Sequence, residues 1–213
     1  MNIKNIKIIS LLTLGVIFSN GKDLSKEIFK LIDSDNNKSS ILFEAEVFDL
    51  ESVNGKHQFL MNDLNGYTME EGYPQLPIYS TLFQISPDKS YKVDYEVIES
   101  YTLNDIELKN YKKDLEIPYS VYPEENIYVS DPQVMRDVVL NQIGFIPYKY
   151  YPNENKLEVY QSVKIHINES GNSNLDYFLP EKKSRVFEEL YKNSIINYER
   201  STRSEDYQTP SIL

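Results

Sequence analysis

The sequence predicts an all-β fold of antiparallel strands closed by a short C-terminal helix, and three observations carry that expectation. Residues 157–167 alternate apolar and polar side chains, so that Leu157, Val159, Val163, Ile165 and Ile167 fall on one face of a period-two strand and require a core on that side. Residues 144–150 and the turn-forming stretch Tyr151-Pro152-Asn153-Glu154-Asn155-Lys156 precede that run, which is a hairpin signal. Eighteen Tyr and nine Phe with no Trp favour strands over helices.

A length of 213 residues, 40% of them hydrophobic, suffices for one domain with a real core plus terminal segments. The absence of cysteine excludes disulfides, thiolate metal sites and a cysteine nucleophile within these residues. A formal charge of −11 argues against nucleic acid as a partner, because phosphate binding needs a basic face. Residues 1–21 hold Lys4 and Lys7 and no acid, so the acidity lies in the remainder, where solubility is explanation enough. No motif calls for a cofactor.

Residues 1–7 are short and basic, 8–18 are mostly apolar, and Ser19-Asn20-Gly21 offers small residues for cleavage, the pattern of a secretory signal peptide. The apolar run is well short of the ~20 residues a spanning helix needs, so no stable membrane insertion is expected after signal cleavage. Leu24, Ile28, Leu31 and Ile32 have helical spacing, which makes residues 22–40 a helical and polar lead-in. Asp33, Asp35, Asn37 and Glu44 have the spacing of a calcium loop, but Lys38 stands where the sharp turn wants Gly and a strand-like run follows, so a polar loop is expected. Residues 41–60 read as strand, turn and strand, with Asn54-Gly55 at the reversal. His57 sits by that turn and His166 faces away from the apolar side of its strand, which makes no catalytic pair. Strands are also expected at 79–85 and 91–98, the latter with Tyr91, Val93, Tyr95 and Val97 on one face, and residues 101–125 are the least regular part. Val93, Val159, Val163 and Ile165 are the expected core. Residues 184–193 turn helical, with Phe187, Leu190 and Tyr191 on one side.

Several short motifs stand in one order: Gly72-Tyr73-Pro74-Gln75-Leu76-Pro77, Ser130-Asp131-Pro132 with Met135-Arg136-Asp137-Val138, Pro147-Tyr148-Lys149-Tyr150-Tyr151-Pro152, Leu157-Glu158-Val159-Tyr160, Phe187-Glu188-Glu189-Leu190-Tyr191-Lys192 and Ile196-Asn197-Tyr198-Glu199. Together they resemble the N-terminal propeptide of gingipain-like cysteine peptidases (peptidase family C25). The turn departs from the family pattern, since two tyrosines precede Pro152 where the family has one.

The resemblance implies a jelly-roll-like antiparallel β-sandwich propeptide over residues 41–180, a helix and processing linker over 181–203, and the start of an otherwise absent peptidase domain at 204–213. It implies that the partner is the cognate cysteine peptidase domain, which the propeptide would help to fold and would keep latent. The family's catalytic His and Cys would lie downstream, so these residues would not be an enzyme. The family's inhibitory basic residue lies in the irregular segment before an Ile-Pro-Tyr element, here Ile117-Pro118-Tyr119, which points to Lys109, Lys112 and Lys113. Processing would follow Arg203, with Arg200 as the second choice. From the residues alone, a free-standing secreted β-sandwich that binds polysaccharide or protein, or the remnant of a truncated precursor, stays open.

Overall fold

Two five-stranded antiparallel sheets face one another in the computed structural model, which describes residues 28–35, 37–60, 66–112, 119–199, 202–203 and 206–208. The signal-peptide reading of residues 1–21 lies outside these. The first sheet is built on the long strand β12 (Lys156–Asn172). Along one side of it runs β7 (Lys89–Leu103); along the other lie β11 (Tyr148–Tyr151) and then β2 (Lys38–Glu44), with β1 (Phe29–Ser34) outside β2. The second sheet is built on β10 (Val138–Phe145), flanked by β6 (Pro77–Ile85) on one side and by β9 (Gln133–Met135) and β8 (Ile127–Val129) on the other. The short β5 (Gly66–Tyr67) lies beside the start of β6. A small hairpin of β3 (Leu50–Val53) and β4 (Lys56–Phe59) turns at Asn54-Gly55, both at positive φ, as the tight reversal requires.

The alternation in residues 157–167 does what its period demands: Leu157, Val159, Val163, Ile165 and Ile167 are all buried. Aromatic rings fill the space between the sheets. Phe43 of the first sheet meets Tyr79 and Phe145 of the second at 5.5 and 5.1 Å between ring centres, and Tyr95 meets Phe145 at 5.3 Å. Val93 is half-buried against this core, whereas Val97 is 37% exposed. Both lie on the expected face, Val93 opposite Ile167 and Val97 opposite Val163, and the alternation holds until Ile98, an extra residue between the pairs Ser162–Glu99 and Val163–Val97 that bulges this edge strand.

The helical lead-in is corrected from Phe29 onward. Residues 29–34 form β1, with Phe29 opposite Phe43 and Leu31 opposite Ile41, and Leu31 and Ile32 are exposed. The few apolar residues of this stretch fit either period, and the ladder offered by β2 decides for strand. The carboxylate of Asp35 turns this hairpin by accepting the N–H groups of Asn37 and Lys38 at 2.9 and 2.8 Å. Those bonds, Asn37 first, hold its pKa below the usual carboxylate value. Glu44 pairs with Lys30, so the calcium-like spacing is that of a hairpin turn.

At the C-terminal end a 3-10 turn (Arg185–Phe187) leads into helix α1 (Glu188–Ser194). The expected stripe is corrected here too, because Leu190 is 38% exposed while Glu188, Tyr191 and Ile195 face inward. Tyr191 and Ile195 cover Val138 and Leu140 on the outer side of β10, which is why that strand is apolar on both faces. The chain then continues along the free edge of β6: Ile196 N–H donates to the Leu82 carbonyl at 2.9 Å, and the Asn197 side chain pairs with both backbone groups of Gln84 at 2.7 and 2.9 Å.

The chain passes from β10 in one sheet to β11 in the other through Ile146-Pro147, and Asn126 holds that crossing. Fully buried, its amide donates to the carbonyls of Ile146 and Tyr148 at 2.6 and 3.0 Å, and its carbonyl oxygen accepts the Tyr95 hydroxyl at 3.4 Å. Replacing Asn126 with Ala strands these groups without water. Equilibrium urea unfolding is expected to show a loss of about 2–4 kcal/mol; a loss below about 1 kcal/mol would contradict this role.

Candidate functional site

The segment 104–112 follows β7 and has no strand of its own, yet its backbone is tied down almost residue by residue. Asp105 takes a positive φ of 60° and turns the chain. Ile106 N–H then donates to the Asn155 carbonyl at 2.8 Å. His57 N–H donates to the Glu107 carbonyl at 2.7 Å, and Lys109 N–H returns to the His57 carbonyl at 2.8 Å, so the segment lies beside β4 like a third strand. Leu108 points inward, 3% exposed, and its N–H donates to the buried Tyr150 hydroxyl at 3.1 Å. On the next turn of backbone Tyr111 N–H donates to the Tyr73 carbonyl at 2.8 Å, and Gly72 N–H donates to the Tyr111 carbonyl at 3.1 Å.

The Gly-x-Pro-x-Leu-Pro motif thus has two jobs. Its second half leads into β6 at Pro77, while its first half is a wall for residues 110–111. Gly72 has φ +86°, a left-handed conformation that favours glycine. The Thr68 hydroxyl fixes the motif by donating to the Pro74 carbonyl at 3.0 Å and accepting Leu76 N–H at 2.9 Å. On the far side of residues 113–118, Tyr119 stacks on Tyr73 at 4.5 Å, and its hydroxyl donates to Asn110 Oδ1 at 3.4 Å. Burial pushes the pKa of Tyr122, packed on the same Tyr73 ring at 4.7 Å, up to about 12. The Tyr122–Pro123 peptide is cis.

Against this frame Lys109 and Lys112 stand outward. Lys109 is exposed, its Nζ 3.4 Å from Gln58 Oε1 on β4. Lys112 is exposed at a positive φ of 62°, its Nζ 3.2 Å from Glu71 Oε1 and 5.0 Å from the centre of the Tyr111 ring. The bond to Glu71 raises the Lys112 pKa above the ordinary lysine value, so this residue is a cation throughout the physiological range. Both side chains are about half exposed, 55% and 51%, and such a pair contributes under about 1 kcal/mol. Lys112 can therefore exchange Glu71 for a buried carboxylate elsewhere at little cost. Lys113 and Ile117-Pro118 lie outside the described residues. The structure separates Lys109, on the β4 side, from Lys112, on the Glu71 side. The Glu71 partner was not visible in the sequence, where the two stand 41 positions apart.

A second group of motif residues holds the C-terminal arm. In the β9–β10 hairpin Arg136 has φ 56° and lays its guanidinium over Phe187 at 4.2 Å. The Asp137 carboxylate accepts Ser184 N–H at 3.1 Å and the Tyr191 hydroxyl. The pKa of that hydroxyl is raised by its burial and by the bond to Asp137. Arg136-Asp137 is thus a clamp on the helix that precedes Arg203. Of the two arginines expected at the processing site, Arg203 is exposed and Arg200 lies outside the described residues.

A family model described as Propeptide_C25 matches residues 27–205. The chain is similar to Gingipain R2 of Porphyromonas gingivalis, 24% identical over 191 residues that cover 80% of this chain and 26% of that protein. It is similar to Gingipain R1 of the same organism, 28% identical over 167 residues that cover 68% of this chain and 16% of that protein. The chain therefore spans about a quarter or less of the length of these relatives. Among solved structures it resembles one chain of the complex of Porphyromonas gingivalis RgpB pro- and mature domains, with a TM-score of 0.64, 23% identity, and 81% of this chain and 98% of that one covered. It also resembles a chain from the structure on the zymogenic latency of gingipain K, with a TM-score of 0.53, 15% identity, and 67% and 92% covered. Both likenesses are of fold.

Tyr150→Phe removes the acceptor of the buried Leu108 N–H and nothing else. The expected outcome is a loss of about 1–2 kcal/mol together with faster amide exchange at Leu108. Unchanged exchange at that amide would contradict the anchoring role.

Proposed function

Because the chain belongs to the propeptide family of C25 peptidases, we propose that it is the secreted prodomain of a gingipain-like cysteine endopeptidase precursor, which assists the folding of the catalytic domain and blocks its active site until the linker is cut. These residues are the propeptide and not the catalytic part of such a precursor. The observation that carries the inhibitory reading is the pinned segment 107–111 with Lys112 raised at its end. A protein inhibitor binds tightly when the loop it presents is already ordered, since little entropy is lost on docking. Lys112 or Lys113 enters an acidic specificity pocket as a point charge, and Lys112 leaves Glu71 to do so. The acidic body of the chain suits such a pocket only through a local cation, which Lys109, Lys112 and Lys113 supply.

The division of the chain follows: a signal peptide at 1–21, a lead-in whose second half joins the first sheet, the sandwich to residue 180, and an arm to Arg203 where the linker is cut. The partner is the cognate peptidase domain.

Substituting Lys112 and Lys113 together with Ala is expected to weaken inhibition of the cognate peptidase at least about tenfold, or ~1.4 kcal/mol, without loss of thermal stability. Intact inhibition would place the plug elsewhere. The N-terminus of the matured peptidase, read by mass spectrometry, is expected to be Ser204; a start within the sandwich would rule out processing at Arg203.

A further inference from the structure

Residues 206–208 lie against the sandwich's C-terminal arm. Lys183 N–H donates to the Asp206 carbonyl at 2.7 Å, and Gln208 N–H donates to the Lys183 carbonyl at 2.9 Å, a parallel bridge of two strand-like bonds. Between them Tyr207 is 5% exposed, its ring 4.9 Å from the Arg185 guanidinium. Its hydroxyl donates to Glu188 Oε1 at 2.6 Å, and Tyr198 donates to the same oxygen at 2.8 Å. Glu188 is 5% exposed on the inward face of α1, and a buried carboxylate of this kind is held in place by such donors. Finally, Asp206 N–H donates to the Arg203 carbonyl at 3.3 Å.

We propose that Lys183, Arg185, Glu188 and Tyr198 form a docking site for residues 206–208, a tyrosine-centred segment on the peptidase side of the junction, and that this segment must undock before the Arg203–Ser204 bond is cut. The inference rests on the reading of Arg203 as the processing residue. Hydrolysis adds the oxygen of water to the Arg203 carbonyl carbon, breaks the C–N bond, and leaves the Ser204 nitrogen as an amine that takes the proton. The protease must bind that carbonyl oxygen with its own donors and accept the flanking chain in extended form. In the docked state the oxygen faces the Asp206 N–H, and the segment three to five residues onward is committed to Lys183 and Glu188. Tyr207 thus acts as a latch on maturation, and the cutting rate follows the undocked population.

The test is limited proteolysis of the full chain with an added arginine-specific protease, with the product ending at Arg203 followed by mass spectrometry. Tyr207→Ala is expected to speed that cut about tenfold, as the loss of a locally stable contact does. Tyr207→Phe, which keeps the ring and loses the bond to Glu188, is expected to fall between Ala and the natural chain. Gln208→Pro removes the N–H taken by Lys183 without touching Tyr207 and is expected to speed the cut as well. Should Tyr207→Ala lower the unfolding temperature, Gln208→Pro decides. Unchanged cutting of the folded variants overturns the latch. A matured N-terminus other than Ser204 would instead overturn the processing assignment and leave the docking result standing.

Discussion

The hydrogen bond from Leu108 N–H to the Tyr150 hydroxyl ties the lysine-bearing segment to the sandwich. Tyr150 belongs to β11, so it is held by β12 along its backbone. It exchanges both backbone bonds with Tyr122 at 2.9 and 2.7 Å. One buried residue therefore joins the first sheet, the segment that follows residues 113–118, and the segment that precedes them. With Leu108 fixed on one side and Tyr119 stacked on Tyr73 on the other, the stretch bearing the lysines is anchored at both ends. An inhibitor needs this more than it needs affinity in any one side chain, because ordering a free loop would cost about 1–2 kcal/mol per residue of backbone.

Motifs that mark the family are largely structural in this chain. Asp137 and Arg136 clamp the C-terminal arm, Gly72 and Pro74 wall the segment before Lys112, and Asn197 protects the edge of β6. The side chains proposed to act on the peptidase lie between these elements and are exposed. In that arrangement the exposed lysines are separate from the residues that hold the fold, so a lysine can be replaced without loosening it.

What the sequence revealed depended on period and on locality. The β12 strand was legible because five apolar residues alternate over eleven positions with a turn before them, and the Asn54-Gly55 reversal because only two residues decide it. The strand β1 was not, since Leu24, Ile28, Leu31 and Ile32 have helical spacing and only the pairing of Phe29, Lys30 and Leu31 with Phe43, Leu42 and Ile41 settles the matter. Leu190 was misplaced because a helix of seven residues is too short for its stripe to be unambiguous. At the candidate site the lysines were visible as a local cluster. Glu71, Tyr150 and Glu188 were not, because each meets its partner through chain folding rather than through spacing.

The proposed role has the chain bind the active site of its cognate C25 peptidase through residues 109–113. Titrating that mature peptidase with the purified chain, at several concentrations of a small chromogenic peptide substrate, tests it most directly. The account predicts inhibition at one chain per enzyme that higher substrate concentrations relieve in a competitive manner. Inhibition indifferent to substrate concentration, or none at stoichiometric chain, would contradict it.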